Sequence, residues 1–350
     1  MLEGLIISID AMGGDHAPDI VIKGLEHFLK TTGRARKARF LLHGDETIIL
    51  PLLAKAPQTA ERAEIRHTEL SIDMEAKPSQ ALRRGKGSSM WNAIQSVKSG
   101  EANIIVSAGN TGALMAMSKL ILRMKQGVQR PAIAASWPNP KGMSVVLDVG
   151  ANIDCDAAQL TEFAVLGEAY YRALYHLEKP RVGLLNVGTE DLKGNAVIKA
   201  AHERLNESQL GLNYIGYVEG NDISMGGAEV IVTDGFTGNI ALKTAEGTAK
   251  LIGQYFGEAL QGNVWSKFTT FLNMYALRRL KKRIDPRNSN GGVFLGLNGI
   301  VIKSHGGTDA IGYSNAVNIA IGLAESDFLH TIDATLDALH DEDDNIGFIQ

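Results

Sequence analysis

One cysteine in 350 residues, Cys155, excludes an intramolecular disulfide and any zinc site built on cysteines. Basic residues number 35 against 39 acidic ones, a balance of -4 without the cationic excess of a dedicated nucleic-acid binder. No 18 apolar residues run together, so no bilayer-spanning helix is expected. The opening MLEGLIISIDAMGG has no basic stretch and too short an apolar run for a signal peptide, which fits a cytoplasmic protein. A Gly-x-Gly-x-x-Gly fingerprint, a compact aspartate cluster and a low-complexity linker are all missing. That argues against a nicotinamide cofactor, a divalent metal and separable domains. What remains, 45% hydrophobic and 21% charged residues, is ordinary for a soluble globular chain able to bury a large core.

Val230–Lys243, VIVTDGFTGNIALK, is the most informative stretch. Val230–Thr233 reads as a buried strand end, Asp234–Asn239 as a turn-rich loop, and Ile240 onward as a helix to about Phe256. A strand that passes through glycines into a helix leaves backbone N–H groups at the helix start, where an anion is favoured. The stretch has an echo in Ile104–Leu114, IIVSAGNTGAL: Gly109, Thr111 and Gly112 align with Gly235, Thr237 and Gly238. Two such corners suggest two anion-binding walls of one cleft, or two ordinary βα turns.

Polar clusters close other strands as well. Leu5–Ile9 ends in Asp10-Ala11-Met12-Gly13-Gly14-Asp15, which can hold a metal, orient a cationic partner or make a turn. Ser144–Val149 ends near Asp148, and Val182–Val187 ends in Asn186-Val187-Gly188-Thr189-Glu190-Asp191-Leu192-Lys193-Gly194-Asn195. Ligands of open α/β sheets bind at such carboxyl ends.

Two basic segments stand apart. Lys77–Ser89 carries Arg83 and Arg84 and can meet a phosphate, an acidic protein or solvent. In Gln261–Ile284, Val264, Phe268, Phe271, Leu272 and Tyr275 fall at helical spacing beside Trp265, and Arg278, Arg279, Lys281, Lys282 and Arg283 follow. That pattern fits a helix on an anionic membrane surface, a helix in a dimer interface, or both. Asp341–Asp344 reads as a solvated acidic tail.

DAMGGD, SAGNTGA, DVGAN, NVGTED-x-KGN, DGFTGN and LGLNGIVIKSHG, in this order, resemble the PlsX family over about residues 4–335. In KPSQALRRGKGSSM, Gly85 and Gly87 stand where that family's pattern has more charge. The resemblance implies a three-layer α/β/α sandwich with a mostly parallel sheet, like isocitrate dehydrogenase and phosphotransacetylase. The whole of 1–340 would be one such domain, two lobes of one sheet with a helical protrusion at 260–284. It implies a homodimer, peripheral membrane association and no cofactor. It also implies transfer of a long-chain acyl group from acyl-carrier protein to inorganic phosphate, giving acyl phosphate for glycerol-3-phosphate acylation by a downstream acyltransferase.

The chemistry asks for little proton transfer. Phosphate is already an anion, and the leaving thiol has a pKa of about 8.5. Positioning and oxyanion stabilisation remain. Lys193 is expected to bind phosphate, Asn239 to donate to phosphate or the carbonyl oxygen, and His305 to donate a proton to sulfur or orient phosphate. Asn110, Thr111 and Gly112, then Thr237, Gly238 and Gly235, are expected to line the pocket, with Gly13, Gly14 and Asn186. Asp10 and Asp234 are expected to orient Lys193 or cap helices. Cys155 has no histidine beside it in sequence, which disfavours a covalent acyl intermediate. Arg83, Arg84 and the basic run 278–283 are the expected carrier-protein contacts. A coenzyme A-dependent phosphotransacylase and a membrane-recruited scaffold are the alternatives.

Overall fold

Short runs of buried Val, Ile and Leu become strands, and the polar or glycine-rich segments after them become the passages into helices. The computed structural model describes residues 4–32, 38–261, 273–283, 285, 287, 290–326 and 328–347. In chain order, β1 (Ile6–Asp10) leads to α1 (Asp19–Thr31), and β2 (Arg39–Gly44) to α2 (Glu46–Leu53) and α3 (Pro57–Ala60). Next, β3 (Ala63–His67) precedes α4 (Pro78–Arg84) and α5 (Ser89–Lys98), and β4 (Ile104–Ser107) precedes α6 (Thr111–Leu122). A hairpin of β5 (Ala132–Asn139) and β6 (Gly142–Leu147) is followed by α7 (Ala157–Tyr175), β7 (Arg181–Leu185), α8 (Ala196–Glu207), β8 (Asn213–Val218), α9 (Gly220–Met225) and β9 (Val230–Val232). The chain continues through α10 (Gly235–Gln261), α11 (Met274–Arg283), β10 (Gly292–Leu295), β11 (Ile300–Lys303), α12 (Ala310–Glu325) and α13 (Phe328–Gly347).

All strands join one sheet in the order β3-β2-β1-β4-β11-β10-β5-β6-β9-β7-β8. The first five are mutually parallel. β10 pairs antiparallel with both β11 and β5, and β6 turns back antiparallel on β5. From β6 to β8 the pairing is parallel again. Following these pairings, the second parallel set runs opposite to the first. One apolar layer buries Ile7, Phe28, Phe163 and Val232 with α1, α7 and α12; the other buries Ile105, Met117, Val146 and Val301 with α5 and α6. The result is the mostly parallel three-layer α/β/α architecture expected.

Three local features differ from the sequence pattern. α10 starts at Gly235, not Ile240, because Asp234 caps it: Oδ1 accepts Thr237 N–H at 2.7 Å and Oδ2 accepts the Thr237 hydroxyl at 2.9 Å. The turn-like residues Gly235–Asn239 are therefore the first helical turn. β10 hides in the glycine-rich stretch before β11, where Val293, Phe294 and Leu295 are buried. The last helix continues through the acidic run 341–344 to Gly347.

Candidate active site

Three adjacent strands of the first half end together. Asp10 of β1 is in register with Ser107 of β4, and Ser107 with Lys303 of β11, so the three side chains share one face of the sheet. Asp10 is buried; its Oδ1 accepts the Ser89 hydroxyl at 2.6 Å and its Oδ2 the Ser107 hydroxyl at 2.7 Å. Ser107 Oγ in turn accepts Gly109 N–H at 3.0 Å. Burial pushes the Asp10 carboxyl up, while the two hydroxyls and the Lys303 charge pull the other way. Gly13 passes so near that a Cβ there would collide with the Asp10 carboxylate, and Gly14, at φ +117°, packs on Ala108. Asp15 N–H donates to Gly306 O at 3.0 Å, joining the loops after β1 and β11.

Asn110 caps α6 by accepting Ala113 N–H at 2.9 Å. Its amide donates to Met74 O at 2.6 Å and Ala76 O at 3.1 Å, which ties the segment before α4 to this corner. The amide is thus engaged by protein, and the Thr111 and Gly112 N–H groups of the first helical turn are the donors left open among the described residues. Pro78 of α4 packs over Gly112, which places the exposed Arg83 and Arg84 on a helix beside the corner.

In the second half β6, β9 and β7 end side by side, with Leu147, Val232 and Leu184 in register. Asp148 is buried and held mainly by main chain. Its Oδ1 accepts N–H groups of Ile133 (3.0 Å), Gly150 (3.1 Å) and Ala151 (3.0 Å); its Oδ2 accepts Asn152 N–H (2.6 Å) and the Asn152 amide (2.8 Å). Gly235 N–H donates to Asn152 O at 2.7 Å, and Gly238 lies so close to the Asp148 carbonyl that no Cβ fits. Asn239 follows, its amide donating to Val149 O at 3.2 Å and lying over Gly150. After β7, Asn186 Oδ1 accepts Val187 N–H at 2.9 Å. Beyond it the stem of Lys193 rests on Gly188; Lys193 is exposed, with no side-chain hydrogen bond or ion pair among the described residues.

The two corners differ in helical phase: Gly235 is the first residue of α10, whereas Gly109 precedes the cap of α6. Nor do they share one end of the sheet, because the two parallel sets run in opposite directions. α10 links them. It starts beside Asp148, and two turns on, about 12 Å at 1.5 Å per residue, Lys243 acts electrostatically on both Lys303 and His305. His305 is exposed, and its Nδ1 accepts Gly307 N–H at 3.3 Å, which leaves the ring proton on Nε2. Desolvation, reinforced by Lys243, holds its pKa below the usual imidazole value. At neutral pH it is a neutral hydrogen-bond donor rather than a cation.

A family model described as "Fatty acid synthesis protein" matches residues 5–331. A phosphate acyltransferase of Maricaulis maris is 58% identical over 332 residues, covering 95% of this chain and 94% of the relative. Another, of Paramagnetospirillum magneticum, is 52% identical over 339 residues, covering 97% and 96%. The chain belongs to the PlsX family of phosphate acyltransferases. It is an acyltransferase of lipid synthesis. Its fold resembles a phosphotransacetylase from Streptococcus pyogenes (TM-score 0.62, 18% identity, 92% of this chain and 94% of that one). The EutD phosphotransacetylase from Staphylococcus aureus is similar too (TM-score 0.59, 17% identity, again 92% and 94%).

In this acyltransferase Cys155 is half-buried, and burial with the nearby Asp148 and Asp234 pushes its thiol up to about 12, so it is a poor nucleophile at neutral pH. Trp265, Phe268 and Phe271 lie outside the described residues. The α11 backbone carries Arg278, Arg279, Lys281, Lys282 and Arg283; Arg279 is exposed, and the other four side chains lie outside the description. Among the described residues no helix is long and apolar enough to cross a membrane. Four polar residues at the corners, Ser89, Ser107, Asp148 and Lys303, were not singled out from sequence as site residues. The legible sign for Lys303 was a lysine closing an otherwise apolar strand just before a Ser-His-Gly turn.

Proposed function

We propose that the protein transfers a long-chain acyl group from acyl-carrier protein to inorganic phosphate, and that the acyl phosphate goes on to acylate glycerol-3-phosphate. A phosphate oxygen attacks the thioester carbonyl carbon, the carbon–sulfur bond breaks, and the carrier leaves as thiolate and takes a proton. The observation that carries this reading is the exposed Lys193 ammonium, unpaired among the described residues, on the loop after β7, the strand paired with the β9 that leads into α10; there Asn239 presents an amide whose second N–H has no acceptor among the described residues. In this reading Lys193 binds phosphate and Asn239 donates to phosphate or to the developing oxyanion. His305 offers a hydrogen bond from Nε2–H to phosphate or to the departing sulfur, and the thiolate takes its proton from solvent. Asp10, Asp148 and Asp234 hold the loops that place these donors. Thr111, Gly112, Thr237 and the loop glycines supply the walls, with Asn186 anchoring the Lys193 loop.

The carrier protein, being acidic, docks at Arg83 and Arg84 beside the first corner or at the basic run of α11. Exposed Leu251, Ile252, Tyr255 and Phe256 on α10 favour a homodimer that covers them. The segment 264–283, which includes α11, lies on the inner face of the cell membrane. The test is incubation of pure protein with palmitoyl-carrier protein and labelled phosphate, with acetyl-coenzyme A in parallel. Acyl phosphate from the carrier thioester alone is the expected result. Product from acetyl-coenzyme A alone would replace the carrier by coenzyme A. Neutralising the basic run of α11 is expected to weaken vesicle binding and leave kcat in solution intact; a raised KM for the carrier thioester would place carrier docking on that run, and a lowered kcat would place it in catalysis.

A further inference from the structure

Lys303 has no part in the mechanism above, yet it sits where the first corner is assembled. It ends β11 and is partly buried. Its ammonium donates to Ala108 O at 3.3 Å and to its neighbour Ser304 O. Ala108 opens the Gly109–Gly112 turn into α6, and Ser304 opens the His305–Gly307 turn into α12. One amine therefore grips the main chain of two loops. Its in-register neighbour, Ser107, bridges to Asp10, whose loop is tied to Gly306 through Asp15. Neither Asp10 nor Asp15 makes a direct ion pair with Lys303 among the described residues, and both Asp10 oxygens already accept serine hydroxyls. A partly buried ammonium that satisfies two carbonyls without an ion pair is poorly compensated for its lost hydration.

We propose that Lys303 is a positioning residue of the acyl-transfer reaction: its ammonium clamps the Ala108 and Ser304 carbonyls and so sets the Thr111–Gly112 donors and His305 against the bound phosphate. The proposal rests on the functional reading given above. Its consequence is a proton-dependent corner. Burial pulls the ammonium down to about 8. The charges facing it are Asp10 from β1 and Asp15 from the following loop, which favour the proton, and Lys243 from α10, which opposes it. A neutral amine still donates, but without the charge that makes the two carbonyl contacts strong. Above about pH 8 the two loops are held less firmly.

The experiment measures acyl phosphate formation from pH 6.5 to 9.5 for wild type, Lys303→Arg and Lys303→Met, with phosphate varied at each pH. The expected result is a wild-type kcat/KM for phosphate that falls above about pH 8, and a Lys303→Arg profile in which that fall is absent. Lys303→Met is expected to lose tenfold or more in kcat/KM for phosphate at pH 7. The same alkaline limb in wild type and Lys303→Arg overturns the proposal, as does a folded Lys303→Met with wild-type kcat/KM. Should Lys303→Met not fold, the Lys303→Arg profile decides.

A wild-type chain that makes no acyl phosphate from either thioester sinks the functional reading instead. Inorganic phosphate alone then tests Lys303, through the rise in Tm that it induces at pH 7 and 9.5. A rise lost at pH 9.5 in wild type but kept in Lys303→Arg supports the clamp; equal behaviour of the two, or no rise in either, overturns it.

Discussion

The two strand-end corners solve one problem by different chemistry. Each has a buried aspartate at the end of a strand, and each aspartate organises a glycine-rich passage into a helix. Asp10 is held by two serine hydroxyls on other elements, with Lys303 nearby. Asp148 is held by four main-chain N–H groups and one amide, three of those N–H groups from the turn that follows it. The first arrangement joins distant elements through side chains and carries titratable charge. The second folds one loop around its own carboxylate, so its geometry is set by the backbone and a single residue. Removing the carboxylate should therefore hurt the second corner more.

The largest expected effect is that of Asp148→Ala. It strands five donors, three of them in buried bonds, each unsatisfied buried group costing about 1–3 kcal/mol, so a loss of roughly 3 kcal/mol or more is expected in urea unfolding. Asp10→Ala should cost less, because serine hydroxyls can rotate to other acceptors. Equal losses would erase the distinction between the corners.

Glycine substitutions sharpen it. A Cβ at Gly238 meets the Asp148 carbonyl, which the surrounding loop cannot move without breaking its own bonds. Gly238→Ala is expected to cost about 2–3 kcal/mol. At Gly112 a Cβ meets chiefly the Pro78 ring, at 2.7 Å, whose pucker can yield, and alanine is the better helix former. Gly112→Ala should cost less than about 1 kcal/mol. The reverse order, read from Tm or urea midpoints, would show that the first corner is the rigid one.

The two lysines contrast next. Lys193 is exposed and unpaired among the described residues, so Lys193→Ala should leave Tm unchanged. It should lower turnover about tenfold, near 1.4 kcal/mol of barrier. Asn239→Ala should lower turnover comparably, with a small stability change from the lost Val149 contact. Wild-type turnover in both folded variants would remove them from the mechanism.

Much of this was readable from residues. Val230–Val232, Ile104–Val106 and Ile7–Ile9 are apolar runs closed by polar, glycine-containing segments, and they become the site-bearing strands. Direction was not readable: nothing in Val293–Leu295 says that β10 runs against both neighbours, and it is the β5–β6 hairpin that turns the second parallel set opposite to the first. Helical phase was not readable either, since Gly109 and Gly235 match as letters while Asn110 and Asp234 are the residues that cap. Lys303 escaped because a lysine at a strand end usually reaches solvent; here two loops close over it, and only the folded chain brings Ala108 to it.

A modest effect belongs to that same lysine and concerns stability, not turnover. Its folded pKa, about 8, lies below the ordinary lysine value. Between those two values the unfolded chain binds more protons than the folded one, so unfolding free energy should rise with pH across that window. Because the residue is only partly buried, solvent reduces the effect to about 1 kcal/mol. Urea unfolding at pH 7.5 and 10 should show the rise in wild type and lose it in Lys303→Met. Cys155 beside the second corner works in the opposite sense, because its thiol is raised in the folded chain, so the Lys303 contribution is read from the difference between wild type and Lys303→Met. A slope that survives in Lys303→Met must come from another group, and the ammonium is then better hydrated than its two carbonyl partners imply.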